Sequence, residues 1–351
     1  MRGLKFIGAV LAFLLLSFVL FLVYSTFTDY KPAERIEVSK NDSAAVIDAK
    51  KQFTLLSWNI GYCGLGSDMD FFYDGGEKTR TTKERTLENM KKITQFLLSQ
   101  DSVSFFLLQE IDTYAKRTYY INELDSFTKQ FYNFYTFFVK NHDVKFVPVP
   151  IKSPMGRVVS GIATFTKFQP FLTERYAFSG QISYPKRIFM LDRCFYVHRY
   201  KLTNKKNLLV INTHNAAFED SAIKLKHLEY LKNFLMDEYK KGNYILIGGD
   251  WNQGPCGFDK KTFSKNLPEE DFKLVPIEKN YLPEGWHWLY DKTTPTNRYL
   301  NKPYNKDTSP KILIDFFLLS PNIEAVSIKT NDLQFENSDH NPVIATIKLK
   351  K

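Results

Sequence analysis

Apolar residues along this chain form one long unbroken run followed by many short ones. The run Phe6–Thr28 carries no charge. At ~1.5 Å per residue it predicts a helix about 34 Å long, enough to cross a hydrocarbon core of about 30 Å. The short runs predict buried strands at Phe53–Ser57, Phe105–Leu108, Gly161–Thr166, Leu208–Asn212, Tyr244–Ile247, Ile312–Leu319 and Val343–Ile347. Helical spacing appears between them. Thr81-x-x-Glu84 has the form of a capping box, and Leu87, Met90, Ile93 and Leu97 follow at helical intervals. Asp220 is placed to cap a second helix carrying Leu225, Leu228, Leu231 and Leu235, with Gly242 as its stop. A third pattern runs from Tyr119 to Tyr135 through Ile121, Leu124, Phe127 and Phe131, and residues 188–202 predict a longer, half-exposed strand.

Strands and helices intermix without the strict alternation of a simple parallel sheet. The pattern predicts a mixed α/β domain, two sheets packed together with helices outside. The chain divides into a membrane segment (1–28), a polar stalk (29–52) that lacks a sustained period, and one domain (53–351). Arg2 and Lys5 precede the apolar run, so the amino end stays in the cytoplasm and the domain lies outside it. A cleaved signal peptide is the competing reading. Its apolar core usually spans only ~7–15 residues, and no small-x-small site follows the run, which favours an uncleaved anchor.

Composition narrows the class. Of 351 residues, 44% are hydrophobic and 25% charged, which excludes a disordered chain. The 31 Phe and 20 Tyr favour sheet packing. Three cysteines, Cys63, Cys194 and Cys256, exclude a disulfide-dense scaffold, and no CxxC pair suggests zinc. The net charge of +10 is spread over pairs such as Lys91-Lys92 and Lys240-Lys241. Such pairs are chiefly solvated surface, but the balance favours anionic partners, nucleic acid or phospholipid headgroups.

The chemistry sits where the apolar runs end. Leu55-Leu56-Ser57-Trp58 ends in Asn59, and Phe105–Leu108 ends in Gln109-Glu110. Leu209–Asn212 leads to Thr213-His214, and Ile245–Ile247 leads through two glycines to Asp250-Trp251-Asn252. Asp315 lies inside an apolar strand, where an unpaired carboxylate is costly. Asn337-Ser338-Asp339-His340-Asn341-Pro342 precedes the last strand. Singly, each residue reads as a turn former or a satisfied histidine. Together they make a polar cluster if the strand ends converge.

The ordered set SWN, LQE, NTH, GDWN, IDFFLL and SDHNPV resembles the endonuclease/exonuclease/phosphatase family over about Phe53 to Lys348. The resemblance implies a four-layer αββα sandwich with its site at one edge of the two sheets. It implies Glu110 as main ligand of a Mg²⁺ or Mn²⁺ ion, helped by Asn59 and by Asp339 through water. Asp250 and Asn252 would orient the attacking water and the phosphate. His340, held by Asp315, would contact phosphate or act as base, and His214 would donate to a phosphate oxygen or the leaving group. A hard cation needs only one or two carboxylates, and phosphoryl transfer needs a Lewis acid, a base and a proton source.

Two departures bear on substrate. The position two after Asn59, acidic in some nucleases of the family, is Gly61, and the Trp-x-Asp-Arg signature of inositol 5-phosphatases is missing before Asp315. Aromatic residues crowd the stretch between Asn252 and Asp315 (Tyr281, Trp286, Trp288, Tyr290, Tyr299, Tyr304), as loop packing or as a rim for the site. Five glycines in residues 60–80 suggest a loop that shapes the substrate entrance. The leading expectation is a membrane-anchored phosphodiesterase with nuclease-type hydrolysis. A phospholipid headgroup hydrolase and an inactive phospho-ligand-binding module are the alternatives, and the oligomeric state stays open.

Overall fold

The computed structural model describes residues 2–178, 180, 182–217, 221–259, 261–264 and 276–350. One sheet has seven strands in the order β1 (Arg35–Lys40), β6 (Leu172–Ala177), β7 (Cys194–Lys201), β8 (Asn207–His214), β9 (Tyr244–Asp250), β13 (Asp315–Leu319) and β10 (His287–Leu289). The other has six: β14 (Ile323–Thr330), β15 (Val343–Leu349), β2 (Gln52–Asn59), β3 (Phe105–Asp112), β5 (Gly156–Thr166) and β4 (Tyr135–Val147). A ribbon of β11 (Asn297–Arg298) and β12 (Lys311–Ile312) stands apart. The helices are α1 (Arg2–Phe27), α2 (Lys83–Leu98), α3 (Glu123–Gln130) and α4 (Ser221–Lys240).

Strand alternation explains the layers, because successive side chains point to opposite faces. Phe53, Leu55, Phe105 and Leu107 face inward against Leu208, Val210, Leu246 and Phe317, forming the core between the sheets. Their neighbours Leu56, Trp58, Phe106 and Leu108 face outward and are covered by Ile93 and Leu97 of α2 and Phe127 of α3. On the opposite outer face, Leu228, Leu231 and Leu235 of α4 cover Leu209, Ile211, Ile245 and Ile247. The expected four-layer αββα sandwich is therefore present.

Several expectations are corrected in detail. The segment 29–52 is not a free stalk: β1 pairs antiparallel with β6, and Ile47 is buried in the inter-sheet core. Its charges hid the strand, because Arg35 pairs with the buried Glu174 on the next strand. The third helix is short, since Tyr119 and Tyr120 adopt left-handed backbone and β4 already begins at Tyr135. Strand β7 starts only at Cys194 and is buried to Tyr200, because both of its faces are covered. The cap of α2 is Thr82, whose hydroxyl accepts from Arg85 N, while Thr81 donates to Asp68. Asp220 lies outside the described residues, and Gly242 ends the helix region in left-handed backbone as expected.

Candidate active site

Five strands deliver polar side chains to one end of the sandwich. β2 and β3 run parallel, as do β8 and β9, so Asn59, Glu110, His214 and Asp250 all sit at carboxyl ends. The two sheets meet there directly: Asn59 Nδ2 donates to Glu110 Oε1 and to Asp250 Oδ2, both at 3.0 Å. Asp315 opens β13 opposite Asp250 in register. All eight residues singled out in the sequence are brought to this one end.

Local backbone aims the side chains. Glu110 sits at a register break in β3 with φ +58°, a bulge that turns its carboxylate into the cluster. Such a conformation costs roughly 1–3 kcal/mol for a residue with a side chain. Gly249, with φ +151°, lets β9 approach the Thr213 carbonyl more closely than any Cβ would allow. Asn252 also takes left-handed backbone, placing its N–H on Asp250 Oδ1 at 2.9 Å and its Nδ2 on the Asn215 carbonyl at 3.1 Å.

Asp315 and His340 form a buried pair, Oδ2 to Nδ1 at 2.8 Å. Burial opposes a charged ring at His340, but the carboxylates of Asp315, Asp339 and Asp250 overcome it and hold the pKa well above the usual histidine value. Asn297 Nδ2 lies 2.9 Å from His340 Nε2, which suits the neutral ring; toward an imidazolium the amide must present its oxygen instead. His214 behaves oppositely. Burial, then Arg193, His340 and Arg117, push its pKa well down, so its ring is neutral. Its Nε2 lies 3.5 Å from Asp250 Oδ2 and 3.8 Å from Glu110 Oε1.

The cluster is short of positive charge. Burial pushes Asp250 up to about 6, with His340 opposing and Asp315 adding to the rise. Burial likewise pushes Asp339 up to about 7, where His340 opposes and Glu110 reinforces. Carboxylates that resist ionisation in a pocket of oxygen donors fit a hard divalent cation, which would restore their charge. Asp250, Asp315 and His340 offer ligand atoms within 4.8 Å of one another. Asp315 Oδ2 is already engaged by His340.

A cavity of about 400 Å³ opens over the cluster. Glu110, His214, Asp250, Asn252, Asp339 and His340 line its floor, and Tyr62, Leu65, Phe71 and Tyr73 from the glycine loop form part of its wall. That loop therefore shapes the entrance as expected. The aromatic stretch splits: Tyr281, Trp286 and Trp288 pack into the core around α4, while Tyr299 lines the cavity.

Sequence reasoning missed Asn297, Arg298 and Asn215. Asn297 bridges to His340 through backbone as well as side chain. Arg298 is buried and donates to the carbonyls of Gly66 and Met69, fixing the entrance loop. Their only signal was the polar triplet Thr296-Asn297-Arg298 after Pro295, which reads as a turn. Asn215 accepts from Thr213 Oγ1 at 2.6 Å and follows the recognised Thr213-His214 directly. The cysteines are unpaired.

The sequence pattern of the endonuclease/exonuclease/phosphatase family matches residues 56–340. A search of curated proteins finds no match. Among solved structures, an endonuclease/exonuclease/phosphatase from Beutenbergia cavernae DSM 12333 is similar with TM-score 0.58 and 12% identity, covering 86% of this chain and 72% of that one. One from Bacteroides vulgatus gives TM-score 0.54 and 13% identity over 86% of this chain and 100% of that one. D. rerio TDP2 complexed with single strand DNA product gives TM-score 0.50 and 11% identity over 85% and 99%. At such identities the likeness shows the fold alone. Members of the matched family are generally hydrolytic phosphoesterases that use divalent metals, and this chain belongs to the endonuclease/exonuclease/phosphatase family.

Proposed function

We propose that the protein is a Mg²⁺- or Mn²⁺-dependent phosphodiesterase with nuclease-type hydrolytic chemistry, anchored in a membrane by α1 with its catalytic domain on the extracytoplasmic side. The observation that carries the catalytic reading is the convergence of Glu110, His214, Asp250, Asn252, Asp339 and His340 on one cavity floor, with Asn59 and Asp315 hydrogen-bonded to them from behind. Retention of the whole set speaks against an inactive binding module.

Glu110, Asn59 and Asp339 would hold the cation. When bound, it supplies Lewis-acid stabilisation of charge on the phosphoryl group and the leaving oxygen. Asp250 and Asn252 hold the attacking water, and the raised pKa of Asp250 suits it to accept a proton from that water. Asp315 fixes the His340 ring through Nδ1, and Nε2 meets Asn297 at 2.9 Å, so a phosphate oxygen would have to displace that amide to reach the ring. Neutral His214 has one N–H to give to a phosphate oxygen or the leaving group.

The anchor reading rests on α1, a helix of 26 residues with mean hydropathy 3.0 in its most apolar stretch, none of that stretch buried against the domain. Arg2 and Lys5 favour a cytoplasmic amino end.

The test is hydrolysis by the full chain in detergent of a soluble diester, bis(p-nitrophenyl) phosphate, with added Mg²⁺ or Mn²⁺. The expected result is turnover that chelator abolishes and that Glu110→Gln loses by more than about a hundredfold. Equal rates for Glu110→Gln and the parent chain at saturating metal would refute the assignment.

A further inference from the structure

We infer that the hairpin joining β4 to β5 is a second membrane contact, that it seats the catalytic end on the bilayer, and that the site takes the phosphodiester of a membrane phospholipid. This inference rests on the phosphodiesterase and anchor readings above and adds orientation and substrate class to them.

Strand directions fix the orientation. β3 pairs antiparallel with β5, and β5 antiparallel with β4, so β4 runs the same way as β2 and β3. Its carboxyl end therefore lies at the catalytic end. α1 and the residues just after it lie along β4 with contacts at two levels. Lys140 Nζ stands 4.4 Å over the Tyr30 ring, and further along the strand Phe146 meets Phe21 edge-on, centroids 6.2 Å apart. Travel toward the catalytic end of β4 is thus travel back along α1 into its apolar span.

The hairpin also overshoots the site. Lys140 and Ile111 both pair with Gly161, which puts Lys140 level with the bulge that carries Glu110. From Lys140 to Val147 the strand continues for roughly 20 Å beyond that level at ~3.3 Å per residue. On α1, the uncharged residues from Phe6 to Leu20 cover about 22 Å at ~1.5 Å each, so a hydrocarbon core of about 30 Å ends roughly a turn beyond Phe21. The bilayer surface then crosses within about a turn of Phe21, so Phe146, which meets Phe21, and the hairpin tip beyond it reach the interface.

The composition of the tip suits that place. Ile151 is 91% exposed, and Phe146 and Val149 are also exposed. Lys145 and Lys152 flank them and are exposed. A single exposed apolar side chain needs no explanation. Three on one hairpin, collared by lysines and directed along a spanning helix, match an interfacial element: apolar groups enter the acyl boundary and ammonium groups stay at the headgroups. Tyr184 extends the contact, its hydroxyl 3.3 Å from Thr26 Oγ1 of α1.

The same elements bound the cavity. Phe189 stacks on Phe21 of α1, centroids 5.8 Å apart, and lines the cavity together with Val147 and Met155 at the feet of the hairpin. The cavity thus joins apolar side chains on its bilayer side to Arg117, Arg193 and Lys224, which also line it, a combination that suits a phospholipid with apolar tails and an anionic phosphate. In the reaction, water oxygen bonds to phosphorus, one P–O ester bond breaks, and the leaving alkoxide takes up the proton that water gives. No oxidant or second substrate is needed.

The experiment uses the full chain in nanodiscs of phosphatidylethanolamine and phosphatidylglycerol with Mn²⁺. An environment-sensitive fluorophore goes on Ile151→Cys in a Cys256→Ser background, where the remaining cysteines are buried. Blue-shifted emission quenched by spin-labelled lipid is expected. Ile151→Glu with Val149→Glu should lower release of headgroup or phosphate ester by about tenfold, while the rate on soluble bis(p-nitrophenyl) phosphate changes less than about twofold. Water-like emission in nanodiscs, or intact lipids beside a hydrolysed soluble diester, would overturn the inference and leave the phosphodiesterase reading standing. Failure on the soluble diester with every divalent metal would remove both.

Discussion

Replacing Asp315 by Asn removes one charge from the catalytic ring and almost no volume. The carboxylate lies 2.8 Å from His340 Nδ1, with side-chain exposures of 0% and 5%, so solvent screens the pair little. With charge centres ~4 Å apart and an effective dielectric of about 20, their attraction is about 4 kcal/mol. The amide oxygen of Asn can still accept from Nδ1–H, and such a neutral hydrogen bond retains about 1 kcal/mol. Roughly 3 kcal/mol is therefore lost wherever the reaction needs positive character on the ring, which corresponds to about two decades in rate. Single-turnover hydrolysis of a soluble diester at saturating metal should show kcat lowered by 10²–10³-fold, roughly, with KM little changed. His340→Ala alone should lose about as much, and the double variant should be no more than about threefold worse than either, because the two act as one unit. Multiplying losses, or an Asp315→Asn variant with more than about a third of the parent rate, would refute the pairing as the source of the effect.

Gly61 has φ +51°, and a Cβ there would lie 2.7 Å from Asp339 Oδ1. Gly61→Ala should cost about 1–2 kcal/mol in denaturant unfolding and weaken Mn²⁺ binding by calorimetry, since Asp339 must move. Leu231 on α4 is fully buried against the sheet, and Leu231→Ala should cost about 2–5 kcal/mol by the same unfolding measurement. Burial raises Asp192 from 3.8 to about 7, against Arg175 and with help from Asp29 and Asp143. The folded chain then binds a proton that the unfolded chain releases, so stability falls as pH rises from about 4 to about 7. Asp192→Asn should flatten that slope in thermal melts and gain about 2 kcal/mol at pH 8, half the full shift because the side chain is partly exposed.

The strands legible in the sequence are those buried on both faces, where packing demands unbroken apolar runs. Leu208–Ile211 and Tyr244–Ile247 stand between α4 and the inter-sheet core, so neither face tolerates a polar residue. The illegible strands satisfy their polar residues through partners far away in the chain. Glu174 of β6 is buried because Arg35 of β1 and Arg199 of β7 reach it from either side. Arg199 in turn pairs with Glu238 on α4. Read singly, Arg35, Glu174 and Arg199 argue for solvent; only the register of three strands turns them into core. β4 hides for a related reason, because its Asp143 pairs with Lys140 within the strand and with Arg157 of β5.

The site follows the same division. Asn59, Glu110, His214 and Asp250 are readable because each is covalently continuous with a buried strand, and its position is fixed by that strand's end. Asn297 and Arg298 depend on contacts that no local pattern encodes. Asn297 reaches His340 because a two-residue ribbon bridges to the segment before β15. Arg298 donates to carbonyls of the loop that begins at Gly61, and its own backbone N–H donates to the Asp339 carbonyl at 3.0 Å. One side chain and one amide thus tie the entrance loop to the residue whose carboxylate faces the proposed metal. A buried guanidinium is costly, and burial indeed lowers its pKa. Its carbonyl partners and the nearby Asp339 charge offset that cost only while loop and metal-side carboxylate keep their places. The position of Asp339 and the shape of the entrance are in that sense one structural variable, set by a residue that the sequence presents as part of a turn.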